Sequence, residues 1–511
     1  MVRQLRPRSP VMTTVAPREQ RAGTREWLGL AVLALPTLLV SMDVSVLHLA
    51  GPAITLDLGA TAQQMLWIID IYGFMIAGLL VTMGSLGDRI GQRKLLLIGA
   101  AAFGVASIVA ALATSPEALL VSRAALGIAG ATLMPSTLSL ISAMFGDPRQ
   151  RGMAIGLWVT MFSVGIALGP VIGGALLQVF WWGSVFLIAV PVMALLLVAG
   201  PLLLPEYRAE QADPIDLASV ALSLGAIMPV VYGLKELAVG GNAGIAAVAI
   251  VAGLALGVVF ARRQRRLTTP LIDLTLFRSR AFSTAAVAML LAMFVAGGTY
   301  LYVTQYLQLA QGQSPMAAGL WLLPAALGLI VTSMAAPALA GRFAPAHIVA
   351  GGLLISIVGH LMLATVGPET GLWVAVVGFS LTYAGGGPLI ALGTDLIVGS
   401  SPPEKAGSAA AVSETATELG MALGVAVLGA LGTFIYRTQL AGSPVGAEAG
   451  GADTFAGTVE AAGRLPGTEA GELVAAGTQA FTSSLSTIGL VSAVLSAVMA
   501  VAIVLGLRTR S

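Results

Sequence analysis

Apolar residues in this chain fall in long unbroken runs, without the spacing of an amphipathic helix face or the alternation of a strand. Fourteen of the runs reach the roughly 18 residues that a helix needs to cross a bilayer. They lie at about 28 to 50, 65 to 85, 95 to 113, 118 to 142, 153 to 178, 183 to 204, 216 to 236, 243 to 261, 282 to 304, 316 to 340, 346 to 366, 372 to 394, 406 to 436 and 482 to 507. The pattern predicts an all-α polytopic membrane protein with fourteen transmembrane helices. The first run is too long for a signal-peptide core, carries Asp43 and lacks a small-residue cleavage site, so it is expected to stay as a helix.

Composition agrees and removes several kinds of chemistry. Of 511 residues, 57% are hydrophobic and 10% charged, with a net charge of +2; soluble chains average about 25% charged residues, which argues against a soluble enzyme. There is no cysteine, which excludes disulfides, thiol nucleophiles and thiolate metal sites. His48, His347 and His360 lie far apart without metal-ligand spacing, so no metal is expected. No cofactor and no nucleic-acid partner is expected, and the protein is read as a monomer in the lipid bilayer.

Basic residues set the expected orientation, because loops rich in Lys and Arg resist translocation. With the N-terminus inside, 22 of the 26 fall in cytoplasmic segments. Both termini are therefore expected in the cytoplasm. The chain then divides into a basic tail (1–27), six helices (28–205), two linker helices with a basic cytoplasmic loop (206–280) and six further helices (281–511). Within the last part, about 437 to 480 is expected to lie outside the cell and form short helices over the outer mouth. The loop at 261 to 280 reads mainly as a topology anchor at the lipid surface.

One part of the chain resembles another, as in many secondary transporters. Residues 148–174 align without gaps with 403–429, and nine positions are identical, among them Gly165 with Gly420, Gly169 with Gly424 and Gly174 with Gly429. A fainter echo relates 84–91 to 337–344. Helices 1 to 6 and 9 to 14 thus form two pseudo-symmetric halves, with helices 7 and 8 inserted.

Charges inside hydrocarbon cost roughly 2.5 to 3.5 kcal/mol each, so every one is a candidate for function. Five stand out: Asp43, Asp70, Arg123, Glu414 and Glu418. The first three sit at one depth, so Arg123 is expected to pair with one of the two aspartates and leave the other free to exchange a proton or cation, or else to join helices structurally. Glu414 and Glu418 share one face of run thirteen, where like charges repel and burial penalises the ionised form, so the pair is expected to take up a proton readily or to meet an organic cation. Their aligned positions in run five are the uncharged Val159 and Ser163. Trp67, Trp158, Phe162, Tyr300 and Trp321 are candidate aromatic faces for a cation, or simple packing and interface residues. The segment 84–94 is read as a short loop that puts Asp88, Arg89, Arg93 and Lys94 at the cytoplasmic face, where basic residues also satisfy topology; Gly84, Asp88, Arg89 and Arg93 are read as a gating motif, with Asp88 capping a neighbouring helix N-terminus when the inner gate is shut. Gly165, Gly169, Pro170, Gly173 and Gly174 are read as a close packing seam and a bend in run five.

These motifs resemble those of a known family. "GSLGDRIGQRK" (84–94) is similar to the loop signature of the major facilitator superfamily, and "SRAALGIAGA" (122–131) to its helix 4 motif, with Arg123 in the proton-coupling position. "GIALGPVIGG" (165–174) resembles the helix 5 motif of drug:proton antiporters. "SMDVSVLHLAGPAI" (41–54) resembles the first-helix motif of the fourteen-helix branch, with Asp43 as its acid and with departures at His48 and Gly51. "WIIDIYGFMIAGLL" (67–80) and "VSETATELG" (412–420) are most similar to the QacA and SmvA type of quaternary-ammonium exporters; run ten carries no acid, unlike some of them. The resemblance implies a proton-coupled antiporter of the bacterial cytoplasmic membrane that exports lipophilic cations, with Asp43, Asp70, Glu414 and Glu418 in recognition and coupling. A dedicated antibiotic self-resistance exporter of the same fold is the alternative. No phosphate-binding GxxxxGK[ST] loop occurs, so the proton gradient is the expected energy source.

Overall fold

The computed structural model describes residues 22–206, 208, 216–238, 241–268, 270, 272, 274–399, 406–443 and 454–506. Most of the basic tail, most of the connection into the linker helices and the middle of the 437–480 segment lie outside those residues, as do the side chains of Val159 and Ser163.

Fourteen long helices carry the fold: α1 Thr24–Leu58, α2 Ala62–Ile90, α3 Gln92–Ala111, α4 Pro116–Met144, α5 Pro148–Val179, α6 Ala189–Leu203, α7 Leu217–Ala238, α8 Ala243–Gln264, α9 Arg280–Gln305, α10 Pro315–Ala340, α11 Pro345–Leu363, α12 Leu372–Gly399, α13 Ala406–Ala441 and α14 Gly467–Gly506. Thirteen contain a stretch long and apolar enough to span a membrane, and α2 passes when counted as one span bent by 54° between Leu80 and Thr82. Local chemistry starts several of them. Ser115 and Ser314 each accept a hydrogen bond from the backbone N–H three residues on, at 3.2 Å, and each is followed by the proline that suits the first helical position. With an even number of spans, α1 starts and α14 ends on one side of the bundle, here the near side.

Glycine decides how closely the helices approach, and it does so twice in the same way. In α5, a Cβ on Gly165 or Gly169 would run into the backbone carbonyls of Leu38 and Met42 on α1. In α13, a Cβ on Gly420 or Gly424 would run into the backbone carbonyls of Leu290 and Phe294 on α9. The aligned glycines thus build the same seam, α1 with α5 and α9 with α13, in which backbones pack at small-residue distance.

The first six helices and the last six meet along two seams, α2 against α13 and α5 against α10. On the far side the seal is tight. Leu49, Leu66, Ile69 and Leu177 pack into the cluster built on Tyr300 and Leu307, and Gly319 lies under the Pro170 carbonyl, where a Cβ would come within 2.5 Å. The near-side cluster of Leu276, Phe282, Ile397 and Val412 draws only on the last six helices and the chain that leads into them.

The inserted pair α7 and α8 packs as a hairpin on the outside, with Gly233 and Gly253 against the carbonyls of Ala246 and Ala226. One face of α7 straddles a seam: Val231 joins Phe74 of α2 and Ala422 and Ala426 of α13 in one cluster. At its near-side end Asp216 caps α7 and pairs with Arg263 of α8 at 2.9 Å. The hydrogen bond from Arg263, with further ones from Ser219, holds the Asp216 carboxyl down at about 2. Gln264 donates to Ser219 at 2.6 Å and accepts from the Ile272 backbone, so part of the basic 261–280 connection is tied down by side chains as well as lying near the lipid surface.

Two expectations are corrected. Residues 84–90 are not a loop but the last turns of α2; only Gly91, at φ +108°, separates α2 from α3. The glycines at 84 and 87 stay within the helix instead of breaking it, and Gly91 supplies a positive-φ turn that an L residue would adopt only under strain. The described part of 437–480 is also not a set of short helices. It consists of the ends of α13 and α14 and a single short helix, Phe455–Ala462, held by Phe455 stacking on Phe481 at 5.5 Å.

Candidate functional site

The five membrane charges separate into three places. Arg123, fully buried on α4, forms an ion pair with Asp43 of α1 and donates through Nε to the Ile68 carbonyl of α2 at 3.2 Å. Its guanidinium lies over the Tyr72 ring at 4.4 Å, with Phe186 at 5.8 Å. Such a planar cation suits both contacts: the flat face takes the ring and the edge takes the oxygens. Asp43 is therefore the partner of Arg123.

Asp70 is also buried, but on another face of α2. Its helical neighbours Leu66 and Gly73 touch Gly429 and Ala422 of α13, and Trp67 and Phe74 join the cluster that includes Val231 of α7. Asp70 thus lies where α2, α7 and α13 meet, on the seam between the halves.

Glu414 and Glu418 line a large cavity between the halves, of about 1520 Å³ counted to its open mouth. Its wall is drawn from both halves, with Ser41, Ser45 and His48 of α1 facing α9, α11, α12 and α13. Among the described residues no Lys or Arg lines the wall, so these two acids have no permanently charged cation beside them there, unlike Asp43; the basic side chains in the wall are His48 and His360. Thr394 of α12 shares a hydrogen bond of 3.0 Å with Ser413, fixing α13 beside Glu414. Asp43, Asp70 and Arg123 are not in this wall.

Of the aromatic candidates, Trp158, Phe162 and Tyr300 line the cavity. Trp158 is anchored through its Nε1–H to Thr137 at 3.1 Å, and Tyr300 donates to the Ser45 carbonyl across the halves at 3.4 Å. Trp67 belongs to the seam with α13, and Trp321 packs edge-on against Trp373 at 4.7 Å. Residues not singled out as site candidates from sequence are prominent here. Tyr383 lines the wall, tilted against Phe379 at 4.5 Å and Tyr300 at 6.5 Å. His48 stands edge-on to Tyr300 at 5.1 Å, and His360 lines the wall from α11. Polar residues within apolar runs were the available signal, since each costs free energy unless it faces a partner or a cavity.

The two glycine motifs are now placed. Gly165, Gly169 and Gly173 face α1, whereas Pro170 and Gly174 face α10 at the far-side seal, Gly174 against the backbone of Pro315 and Met316. On the near side, Asp88 accepts from Gln92 at 2.7 Å and caps no other helix among the described residues. Gly84 faces Pro135 of α4, and Arg89 is exposed. Arg93 pairs with Glu206 at 3.3 Å and donates to the Leu204 carbonyl at 2.9 Å, clamping α3 to the end of α6.

Two six-helix halves around a shared cavity, with acids in its wall, are the architecture of a secondary transporter. Residues 33–425 match the model of the Major Facilitator Superfamily, and the chain belongs to that family of membrane transporters. It is 41% identical over 497 residues to the multidrug efflux pump LfrA of Mycolicibacterium smegmatis, covering 97% of this chain and 98% of that one. It is 34% identical to the methyl viologen resistance protein SmvA of Salmonella typhimurium over 468 residues, 89% and 93% of the two chains. Its fold matches the crystal structure of a bacterial homologue of the human lysosomal transporter Spinster in its inward-facing, unoccupied conformation, with a TM-score of 0.64 at 16% identity, covering 96% of this chain and all of the other. The protein is thus a multi-pass bacterial membrane transporter.

Proposed function

We propose that this transporter is a proton-coupled antiporter that exports lipophilic organic cations, among them quaternary ammonium compounds and dyes, across the cytoplasmic membrane. The observation that carries this reading is the placing of Glu414 and Glu418 in the wall of one cavity with Trp158, Phe162, Tyr300 and Tyr383. A desolvated onium ion needs a negative charge and aromatic faces, and among the described residues no Lys or Arg in the wall compensates those acids. The similarity to a multidrug pump and to a methyl viologen resistance protein supports the same class of cargo.

With the near side in the cytoplasm, as the distribution of basic residues argues, a cavity sealed on the far side faces inward. In that state a cation replaces the proton on Glu414 or Glu418. Rocking of the halves then opens the far side, where external protons displace the cargo. The Asp43 and Arg123 pair holds α1 and α4 together through the cycle. Asp70, buried in a seam that must slide, senses which way the halves are tilted. The protein works as a monomer, since both halves of the cavity come from one chain.

The test is Glu418→Gln in inside-out vesicles, with an imposed pH gradient and a fluorescent dye cation. The expected result is loss of at least tenfold in cation-driven proton release, with unchanged expression; unchanged release defeats the reading. The cation must move against the direction of the imposed proton flow, which separates an antiporting exporter from a proton-coupled importer.

A further inference from the structure

Five of the chain's 19 methionines, Met134, Met289, Met293, Met421 and Met499, line the cavity. A methionine side chain is unbranched and flexible, so it can fill an irregular space in more than one way. Two of the five end on glycines of a neighbouring helix. The Met421 sulfur of α13 lies over Gly297 of α9, where a Cβ would stand 3.0 Å from it. Met289 of α9 reaches across to α12, and a Cβ on Gly393 would run into its terminal methyl.

Gly393 differs from the glycines of the helix seams. A Cβ on Gly297, Gly420 or Gly424 would first meet a backbone carbonyl, so those positions let two helices close up. At Gly393, beyond the backbone of its own helix, the three nearest atoms are the Met289 methyl, Leu389 Cδ1 at 3.5 Å and the Met289 sulfur at 3.6 Å, and all belong to side chains. Glycine inside a helix is less stable than alanine, and close helix approach does not account for this one. Its missing Cβ makes a notch that holds the end of one flexible side chain. The notch lies beside the acids. The next residue, Thr394, shares its hydrogen bond with Ser413, the neighbour of Glu414, and Met289 packs in one cluster with Val412 and Ala416, which bracket Glu414 along α13.

We infer that Met289 and the Gly393 notch form an adjustable piece of wall that sets the girth of the cation accepted beside Glu414. With the thioether folded into the notch, as in this structure, the cavity is widest there and admits bulky ions whose rings splay in all directions. Swung out of the notch, the same side chain closes on a flat ion. The inference rests on the cation-export reading above and adds the residues that determine which shapes are carried.

Two ions test it: tetraphenylphosphonium, a wide propeller, and N-methylacridinium, a flat plate. Binding to the purified full-length protein in detergent is measured by equilibrium dialysis against protein-free micelles. Gly393→Ala fills the notch and displaces the thioether into the cavity. It is expected to weaken tetraphenylphosphonium binding about fivefold, the scale of overpacking by one carbon, and to leave N-methylacridinium within about twofold of wild type. Met289→Ile, branched at Cβ and stiff at χ1, cannot fold into the notch and should discriminate in the same sense. Adding Met289→Ala to Gly393→Ala removes the displaced side chain and should return tetraphenylphosphonium to near its wild-type affinity. Equal loss on both ions, no loss on either, a loss confined to N-methylacridinium, or a loss that Met289→Ala does not relieve overturns the adjustable wall. If Gly393→Ala does not yield folded protein, Met289→Ile against wild type decides. If the wild type binds neither ion, or if Glu414→Gln combined with Glu418→Gln leaves the binding of both unchanged, the cation reading falls and the wall with it; if binding depends on the acids but Gly393→Ala does not tell the ions apart, only the wall falls.

Discussion

Arg123 is the largest fully buried side chain among the described residues, and four groups share the cost of burying its charge: the Asp43 carboxylate, the Ile68 carbonyl and the rings of Tyr72 and Phe186. Removing one partner of such a buried pair typically costs about 3 to 5 kcal/mol, because the other charge is left uncompensated. Arg123→Gln is expected to lower the midpoint of thermal unfolding in detergent sharply. Arg123→Lys should rescue it only in part, since an ammonium neither stacks flat nor forks. The double variant Asp43→Asn with Arg123→Gln should lie closer to wild type than Arg123→Gln alone, and a lower value would contradict the pairing. All five charges were legible in the sequence, because nothing else in apolar runs marks function so plainly. Which aspartate Arg123 takes was not. Depth along a helix follows from counting residues, but azimuth relative to neighbours does not: Asp70 is about 200° around α2 from Ile68, on the opposite face from the one that meets Arg123.

At the level of elements, the fourteen helices and the repeat could be read because both rest on patterns that survive in one dimension: run length and the spacing of glycines. The repeated glycines mark the same α1 with α5 and α9 with α13 contacts. The errors share a cause. Glycines at 84–90 and the polar stretch at 467–480 read as breaks by the rules of soluble chains, whereas here α2 and α14 run through them. The cavity wall was only partly legible, since Tyr383, His48 and His360 come from three helices whose rotation only packing fixes. The linker hairpin carries its own prediction. Asp216 titrates lower in the folded chain than the usual 3.8, because Arg263 and Ser219 hydrogen-bond its carboxylate. The unfolded chain therefore takes up the proton first; the stabilisation is complete at neutral pH and drains away as pH falls from about 4 towards 2. Asp216→Asn should remove this acid-sensitive component while leaving the cap of α7 in place. Thermal unfolding followed from pH 7 down to pH 3 checks it: a variant curve parallel to wild type would contradict the assignment.

Across the whole molecule, the two seams between the halves are alike in their helices but not in their surroundings. Along α2 and α13 a third helix, α7, is bedded on both partners through Phe74, Val231, Ala422 and Ala426. Along α5 and α10 neither inserted helix packs on both partners among the described residues. A two-leaved body bound along one edge turns like a book on its spine, and the free edge sweeps the wider arc. Because the chain has no cysteine of its own, pairs of spin labels can be placed at the exposed Leu157 with Val331 and at the half-buried Leu79 with Leu419. Between low and high pH the first pair should change its separation by more than the second; equal changes would mean that the binding is no spine. A leaf hinged on one side also parts on one side, so the edge where α5 meets α10 is the one expected to open sideways to cargo dissolved in the bilayer.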